Sequence, residues 1–351
     1  MLEEFDLSQT VEPLLSWYPD HARTLPWRSD PTPYHVWVSE IMLQQTRVEA
    51  VKPYYARFME ALPDVKALAE CEEEKLLKLW EGLGYYNRVR NMQEAAKTVV
   101  AEYGGSLPAD YEKLRALKGI GNYTAGAISS IAYGLPYAAV DGNVLRVITR
   151  VSGDTGDIMK ASVRGKIEDR LNEIMPKQAG MFNQALMELG ATVCVPNGEP
   201  QCGRCPWELF CVARKEELTE QIPVKSKAKP RKIEKRTVFV IREQNHVVLH
   251  KRPNRGLLAG LYEFPNVAGM LNEEEALAWI KEQKLLPLHI EKLEEAKHIF
   301  SHVEWHMTGY AVRIDELAKD RSGMLYVGLD EVKKAYPIPT AFSAYVKYID
   351  F

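Results

Sequence analysis

The sequence has no apolar run approaching the roughly 20 residues that a bilayer span needs, so no membrane partner is expected. Its first residues, MLEEFDLSQT, are acidic and lack the apolar stretch of a secretory signal, which leads to the expectation of a cytoplasmic protein. A surplus of positive charge is also missing. With 45 basic and 48 acidic side chains the net charge is −3, which taken alone argues mildly against a nucleic-acid partner. No repeat recurs at a solenoid period. What is present is ordinary for a globular chain: 46% hydrophobic and 26% charged residues exclude a wholly disordered or collagen-like protein. A length of 351 residues is enough for two domains, each with its own core.

The placement of charge says more than its sum. Residues 1–220 hold 24 basic and 31 acidic residues, 221–236 hold seven and one, and 237–351 hold 14 and 16. The middle block, QIPVKSKAKPRKIEKR, has two prolines, dense like charge and few apolar residues, and reads as an extended linker over 219–236. It is either a solvated tether or a tether that also follows phosphates.

Before this block, apolar residues recur at spacings of three and four, with Gly or Pro at each boundary. Residues 1–218 are therefore expected to form an all-α domain of about ten helices. After it, TVFVIR, HVVLHKR, HIFSHVEWHMTGYAVRI and MLYVGL are β-branched or aromatic runs, and EEEALAWIKEQ reads as a helix between them. Residues 237–351 are expected to form a smaller α+β domain.

Cys194, Cys202, Cys205 and Cys211 fall within 18 residues, whereas Cys71 lies far away among acidic residues. Four thiolates so close together call for an electrophilic partner. Only one pair has the C-x2-C spacing that zinc knuckles use twice, and the uneven spacing suits a 4Fe–4S cluster. The spacing leaves a structural zinc site or two disulfides open.

Residues 111–128, YEKLRALKGIGNYTAGAI, read as helix, tight turn, helix. Gly119-Ile120-Gly121 either simply ends a helix or offers backbone N–H groups to a phosphate at the start of the next one. Asp141 suits the N-cap of a helix starting near Val144. Glu40 lies among apolar neighbours in VWVSEIMLQQT, on an exposed stripe or in surroundings that raise its pKa. Each carboxylate alone is a weak signal. Together they match glycosidic bond cleavage, which needs one acid to protonate the leaving group and one carboxylate to face an oxocarbenium-like centre.

A helix–hairpin–helix, an aspartate about twenty residues on, and four grouped cysteines resemble the helix–hairpin–helix DNA glycosylases with an iron–sulfur cluster. Within them the chain resembles the MutY-type adenine glycosylases. The likeness spans nearly the whole chain: LPWR at 25–28, VWVSEIMLQQT at 36–46, EGLGYYNRVRN at 81–91, VDGNV at 140–144, FNQALMELGA at 182–191, GLLAGLYEFP at 256–265 and FSH at 300–302. The endonuclease III branch carries a Schiff-base lysine two residues after the second hairpin glycine; here that residue is Tyr123. The resemblance therefore implies a monofunctional enzyme without a lyase step.

By the same resemblance, Glu40 would protonate a flipped adenine on a ring nitrogen and Asp141 would stabilise the sugar cation, with Asn143 and Tyr123 orienting groups nearby. Gln184 would contact the adenine edge, Arg28 and Trp27 would belong to the substrate-binding set, Gln45 and Tyr85 would enter the duplex, and Gly119 and Gly121 would meet a phosphate. Cys194, Cys202, Cys205 and Cys211 would hold the 4Fe–4S cluster. The last domain resembles the Nudix fold but lacks the REUxEE-like glutamates of a working hydrolase. It would read 8-oxoguanine through Phe300, Ser301 and His302.

The implied partner is double-stranded DNA with an adenine:8-oxoguanine mispair, met by a monomer that associates with the nucleoid through that DNA. Two departures from the family pattern stand out. VPNGEPQ has one residue more than the usual spacing between the first two cysteines, and Tyr262 stands where tryptophan is common, a difference expected to affect packing more than chemistry. The alternatives are a glycosylase-lyase for oxidised pyrimidines and a non-catalytic damage-binding protein.

Overall fold

The computed structural model describes residues 2–227, 229–315 and 323–349. Its packing divides the chain into two units, residues 1–70 with 90–227, and residues 71–89 with 228–351.

The first unit is helical. Its helices are α1 (Val11–His21), α2 (Pro26–Ser29), α3 (Pro33–Leu43), α4 (Val48–Ala61) and α5 (Val65–Glu70), followed beyond the excursion 71–89 by most of α7 (Asn87–Tyr103). Then come α8 (Tyr111–Ala116), α9 (Asn122–Ala127), α10 (Gly142–Ser152), α11 (Ala161–Glu173), α12 (Ala179–Thr192) and α13 (Val212–Lys215). Several are single turns, because Gly and Pro punctuate the periodic pattern so often.

α3 starts cleanly: the Thr32 side chain accepts from the His35 N–H, and Pro33 occupies the first turn where no donor is needed. α10 ends on Gly153 in the left-handed region, φ +67°, the conformation glycine adopts without cost. Around α10 and α12 a core gathers Val144, Ile148, Val151, Phe182, Leu186 and Leu189 against Leu14 and Trp17 of α1. Trp207, from the cysteine-rich end, joins it and donates its indole N–H to the Thr10 carbonyl at 2.9 Å. Among the described residues no helix is long and apolar enough to cross a membrane.

The second unit contains α6 (Glu73–Leu79) and a seven-stranded mixed sheet. Its strands are β1 (Lys232–Glu243), β2 (His246–Lys251), β3 (Tyr262–Glu263), β4 (Asn266–Ala268), β5 (Pro287–Ile299), β6 (Val303–Ile314) and β7 (Leu325–Gly328). The order is β3-β2-β1-β6-β5, with β4 on β1 and β7 on β2. β1 and β6 run parallel at the centre; the other pairs are antiparallel.

Alternation on β1 sends Val238 and Val240 to one face and Phe239 and Ile241 to the other, so the sheet carries a core on each side. Helix α14 (Glu273–Glu282), opened by a capping box between Asn272 and Glu275, covers the Phe239 face. Phe342 and Tyr345, the latter on the short α16 (Ser343–Val346), cover the other with Trp305 and Phe264; α15 (Leu329–Ala335) adds Val332.

The basic block does not behave as a tether throughout. Lys232–Arg236, expected in the linker, are the first residues of β1 and pair with Val303–Met307. At the other end, Ile222 is buried, and the Val224 carbonyl accepts from the Ile158 N–H at 3.0 Å. Strand pairing satisfies backbone groups that a solvated linker would leave to water, and this outweighs the like-charge repulsion.

Gly126 in α9 marks the tightest backbone approach in the helical unit. A Cβ there would lie 2.1 Å from the Ala138 carbonyl oxygen, whereas one at Gly121 would meet nothing within 4 Å. Gly126→Ala should therefore destabilise the protein by about 1–3 kcal/mol in urea unfolding. Gly121→Ala should stay within about 0.5 kcal/mol of the parent.

Candidate active site

Glu40 sits on α3 and is buried at 6% exposure, so the apolar setting holds and the exposed-stripe alternative does not. The Tyr123 hydroxyl, from the second residue of α9, donates to Glu40 Oε2. Burial pushes the Glu40 carboxyl up to about 7; the nearby Asp141 charge adds to this, while the Tyr123 hydrogen bond and Arg28 oppose it. Tyr123 itself is pushed well above its ordinary value by burial and the adjacent carboxylates, so it remains a donor.

Asp141 serves as the N-cap of α10 and as a member of the pair. Its Oδ1 accepts from the Val144 N–H at 2.8 Å and its Oδ2 from Asn143 Nδ2 at 2.7 Å. Burial raises its pKa, and these hydrogen bonds and Arg146 work against the rise. Each of these opposing partners favours the ionised form. Glu40 has one hydrogen bond of this kind and lies beside a negative charge. The two carboxyls thus differ in environment: Glu40 is the one that keeps a proton near neutrality and Asp141 the one equipped to hold charge.

Asn143 is held in turn by Arg146, whose Nη2 donates to Asn143 Oδ1 at 2.9 Å. The buried Arg146 also donates to the carbonyls of Gly190 and Cys194, at 2.7 Å each. One turn further along α10, Arg150 donates to Cys194 Sγ at 3.3 Å and to the Val195, Thr219 and Ile222 carbonyls. Two buried guanidiniums on one helix face thereby fix the Asp141–Asn143 turn and the cysteine-rich loop in one frame.

Gln184, on α12, accepts from the Tyr18 hydroxyl at 3.4 Å and donates to the Gly180 carbonyl at 3.2 Å. Arg28 lies 5.8 Å from the Tyr18 ring centroid and donates to Glu188 Oε2 at 2.7 Å. Glu188 is fully buried, and Arg23 Nε also donates to it, at 2.6 Å. Tyr18, Arg23 and Glu188 had no place in the sequence reading. The available signal was Glu188 itself, a carboxylate in the apolar run ALMELGA one turn beyond Gln184. Trp27 is buried at 6% and packs edge-on to Tyr55 at 5.3 Å, so in this structure it is a core side chain.

Gln45 and Tyr85 share an unusual backbone. Gln45 has φ +61° and is exposed; Tyr85 has φ +48° and is 54% exposed. Left-handed conformations of non-glycine residues cost of order 1–3 kcal/mol and concentrate at functional positions, a mark composition does not reveal. In the hairpin, Gly119 takes φ +82° and Gly121 caps α9. The turn is less open than expected: the Ile120 N–H donates to the Leu117 carbonyl at 3.1 Å.

In the second unit, Phe300, Ser301 and His302 form the turn between β5 and β6. Phe300 is packed edge-on to Trp305 at 4.9 Å, while Ser301 and His302 are exposed.

Cys194, Cys202, Cys205 and Cys211 line one pocket with Arg150 and Arg214. Among the described residues, no group of three or more His, Cys, Asp or Glu is arranged to hold a single metal ion.

With this geometry in view, the comparisons with known proteins converge. A family model described as "HhH-GPD superfamily base excision DNA repair protein" matches residues 38–174, and a NUDIX domain model matches 237–348. The chain is 37% identical to a human adenine DNA glycosylase, over 86% of this chain and 66% of that protein's length. It is 35% identical to the adenine DNA glycosylase of Buchnera aphidicola (Acyrthosiphon pisum), over 91% of this chain and 89% of the relative. Among solved structures, endonuclease III in a trapped covalent DNA complex superimposes with a TM-score of 0.52 at 25% identity, covering 61% of this chain and all of that one.

The carboxyl pair leaves a thermodynamic trace. The unfolded chain releases the Glu40 proton near pH 4.5 and the folded one near pH 7, so stability falls as pH rises across that window and is flat above it. Glu40→Gln removes that loss. Relative to the parent, the variant should gain on the order of 2 kcal/mol between pH 5 and pH 8.5, read from urea midpoints at both values. The identity to relatives across both units decides the family: this chain belongs to the adenine DNA glycosylases of the HhH-GPD superfamily.

Proposed function

We propose that this protein is a monofunctional DNA N-glycosylase that removes adenine paired with 8-oxoguanine, leaving an abasic site. The observation that carries the reading is the buried Glu40–Tyr123 pair beside Asp141.

An adenine flipped from the duplex meets Gln184 and Arg28, which offer hydrogen bonds to its edge. Glu40, protonated near neutral pH, donates its proton to a ring nitrogen, so that the base departs as a neutral leaving group. Tyr123 returns a hydrogen bond to the carboxylate that this leaves behind. Positive charge then develops on the sugar. Asp141, kept ionised by Asn143 and the Val144 N–H, faces it as a fixed countercharge. Water completes the hydrolysis. With a phenol at position 123 in place of an amine, there is no Schiff base to form at that position, and the strand stays intact.

The partner base is read in the second unit. The exposed Ser301 and His302 offer polar atoms beside a Phe300 anchored in the core, and the helix expected to carry a hydrolase's glutamates serves only as a cover for the sheet. This supports a binding domain for 8-oxoguanine.

Cys194, Cys202, Cys205 and Cys211 would hold a 4Fe–4S cluster. The residues fit it: four thiols around one pocket, with a guanidinium donating to one sulfur, suit an anionic thiolate-held group. When bound, the cluster would supply iron–thiolate ligation that ties Cys194, Cys202, Cys205 and Cys211 to one another, while Arg150 links this loop to α10; no step of base removal is assigned to it.

Two outcomes are expected. Glu40→Gln and Asp141→Asn should each abolish base release from an adenine:8-oxoguanine duplex while duplex binding persists, and in the parent strand scission should appear only after alkali. Base release retained in both variants, or a borohydride-trapped covalent adduct in the parent, would contradict the mechanism. Iron and acid-labile sulfide should each approach about four per chain, and zinc should be absent. One zinc per chain without sulfide would overturn the cluster assignment.

A further inference from the structure

The segment 71–89 packs with the C-terminal unit, although in sequence it lies between helices of the other. Three charged side chains fasten it there. Glu74, on α6, accepts from the Tyr262 hydroxyl at 2.8 Å and from Lys251 Nζ at 3.1 Å. Lys78, one turn later, donates to the carbonyls of Val332 and Tyr336, at 3.3 Å each, and pairs with Glu81 at 2.6 Å. Glu81 in turn accepts from the Ile338 N–H at 2.7 Å. Exposed ion pairs add little stability. Apart from the Lys251 and Lys78–Glu81 pairs, these contacts end on backbone groups and a buried phenol, so what they fix is position.

The fastened segment carries Tyr85. Trp80 is fully buried and donates its indole N–H to the Gly84 carbonyl at 3.0 Å. Arg88 donates to the Leu83 and Gly84 carbonyls at 3.0 and 3.1 Å, and its guanidinium lies 5.4 Å from the ring centroids of both Trp80 and Tyr85. Tyr85 is thus displayed in a left-handed conformation from a turn whose carbonyls are tied down.

At the opposite end, Tyr262, Val332 and Ile338 belong to the same core as Trp305, and Phe300 packs against that core. An unbroken series of packed and hydrogen-bonded groups runs from the β5–β6 turn to Tyr85. The phenol at 262 is more than a packing difference: its hydroxyl is one of the fastening contacts.

We propose that Glu74, Lys78 and Glu81 are positioning residues that set Tyr85 relative to the Phe300–Ser301–His302 turn, so that discrimination of the base opposite adenine belongs to turn and wedge jointly. This rests on the roles given to Tyr85 and the turn under the proposed function. Physical continuity alone does not demonstrate coupling; a double-mutant cycle does.

The test is single-turnover base release by the full chain on adenine:8-oxoguanine and adenine:guanine duplexes, with Glu81→Ala, His302→Ala, the double variant and Glu81→Gln. Glu81→Ala should lower the preference for 8-oxoguanine about fivefold or more while leaving the rate on adenine:guanine unchanged. It should cost nothing further once His302 is alanine. Glu81→Gln keeps an acceptor for the Ile338 N–H, so it should retain most of the preference; it also serves should the alanine variant fold poorly. An equal loss on both duplexes would reduce the contacts to scaffolding, and so would two losses that multiply. If His302→Ala lowers the preference but both Glu81 variants leave it intact, the positioning role alone fails. If His302→Ala leaves it intact, the turn's reading role fails and takes the proposal with it.

Discussion

The candidate site depends on one constraint: a buried Glu40 carboxyl and a half-buried Asp141 carboxyl lie close enough for the charge of Asp141 to raise the pKa of Glu40, with a phenol donating to Glu40. In water both would be ionised at neutral pH. Brought together in the fold, they favour a state with one proton between them, and their surroundings decide where it sits. Asp141 collects a backbone N–H, an amide and the field of Arg146, whereas Glu40 receives a single hydroxyl. Under the proposed mechanism, acid and countercharge are thereby distinguished before substrate arrives, as cleavage of a glycosidic bond requires.

Keeping such a pair in place demands rigidity, and buried guanidiniums supply it. Arg146 and Arg150, four residues apart on α10, reach carbonyls on α12, on the cysteine loop and in the stretch before the second unit. Arg23 and Arg28, both partly exposed, close on the fully buried Glu188. Buried pairs of this kind are poor sources of net stability, because desolvation offsets their attraction. What they give is a single arrangement. The Arg146 hydrogen bond to Cys194 and the Arg150 hydrogen bonds to Val195, Thr219 and Ile222 also satisfy carbonyl acceptors in the largely irregular stretch 193–224.

Much of this could be read in the sequence. Glu40, Asp141 and the hairpin stood out as candidates because the chemistry proposed for them needs particular residue types at particular intervals, and the cysteines because four thiols in 18 residues have few uses. The helical character of residues 1–218 followed from periodicity, and the α+β character of residues 237–351 from β-branched and aromatic runs; that the sheet is mixed did not. Tertiary contacts were less accessible. Composition marked 221–236 as a tether, yet strand pairing with β6 claimed its last five residues. Glu188 looked like any helix carboxylate until two arginines converged on it. The strained backbones of Gln45 and Tyr85 leave no compositional mark, and nothing in the periodicity of α6 says that it packs with the second unit. Local rules locate groups along the chain; which groups meet is decided by packing.

The central claim is that Glu40 holds a proton at neutral pH, and infrared difference spectroscopy reads it directly. Titrating the parent against Glu40→Gln should show a protonated-carboxyl band that is present at pH 6 and lost with a midpoint near pH 7. The band should be missing from the variant. A Glu40 carboxylate already ionised at pH 5 would contradict the account.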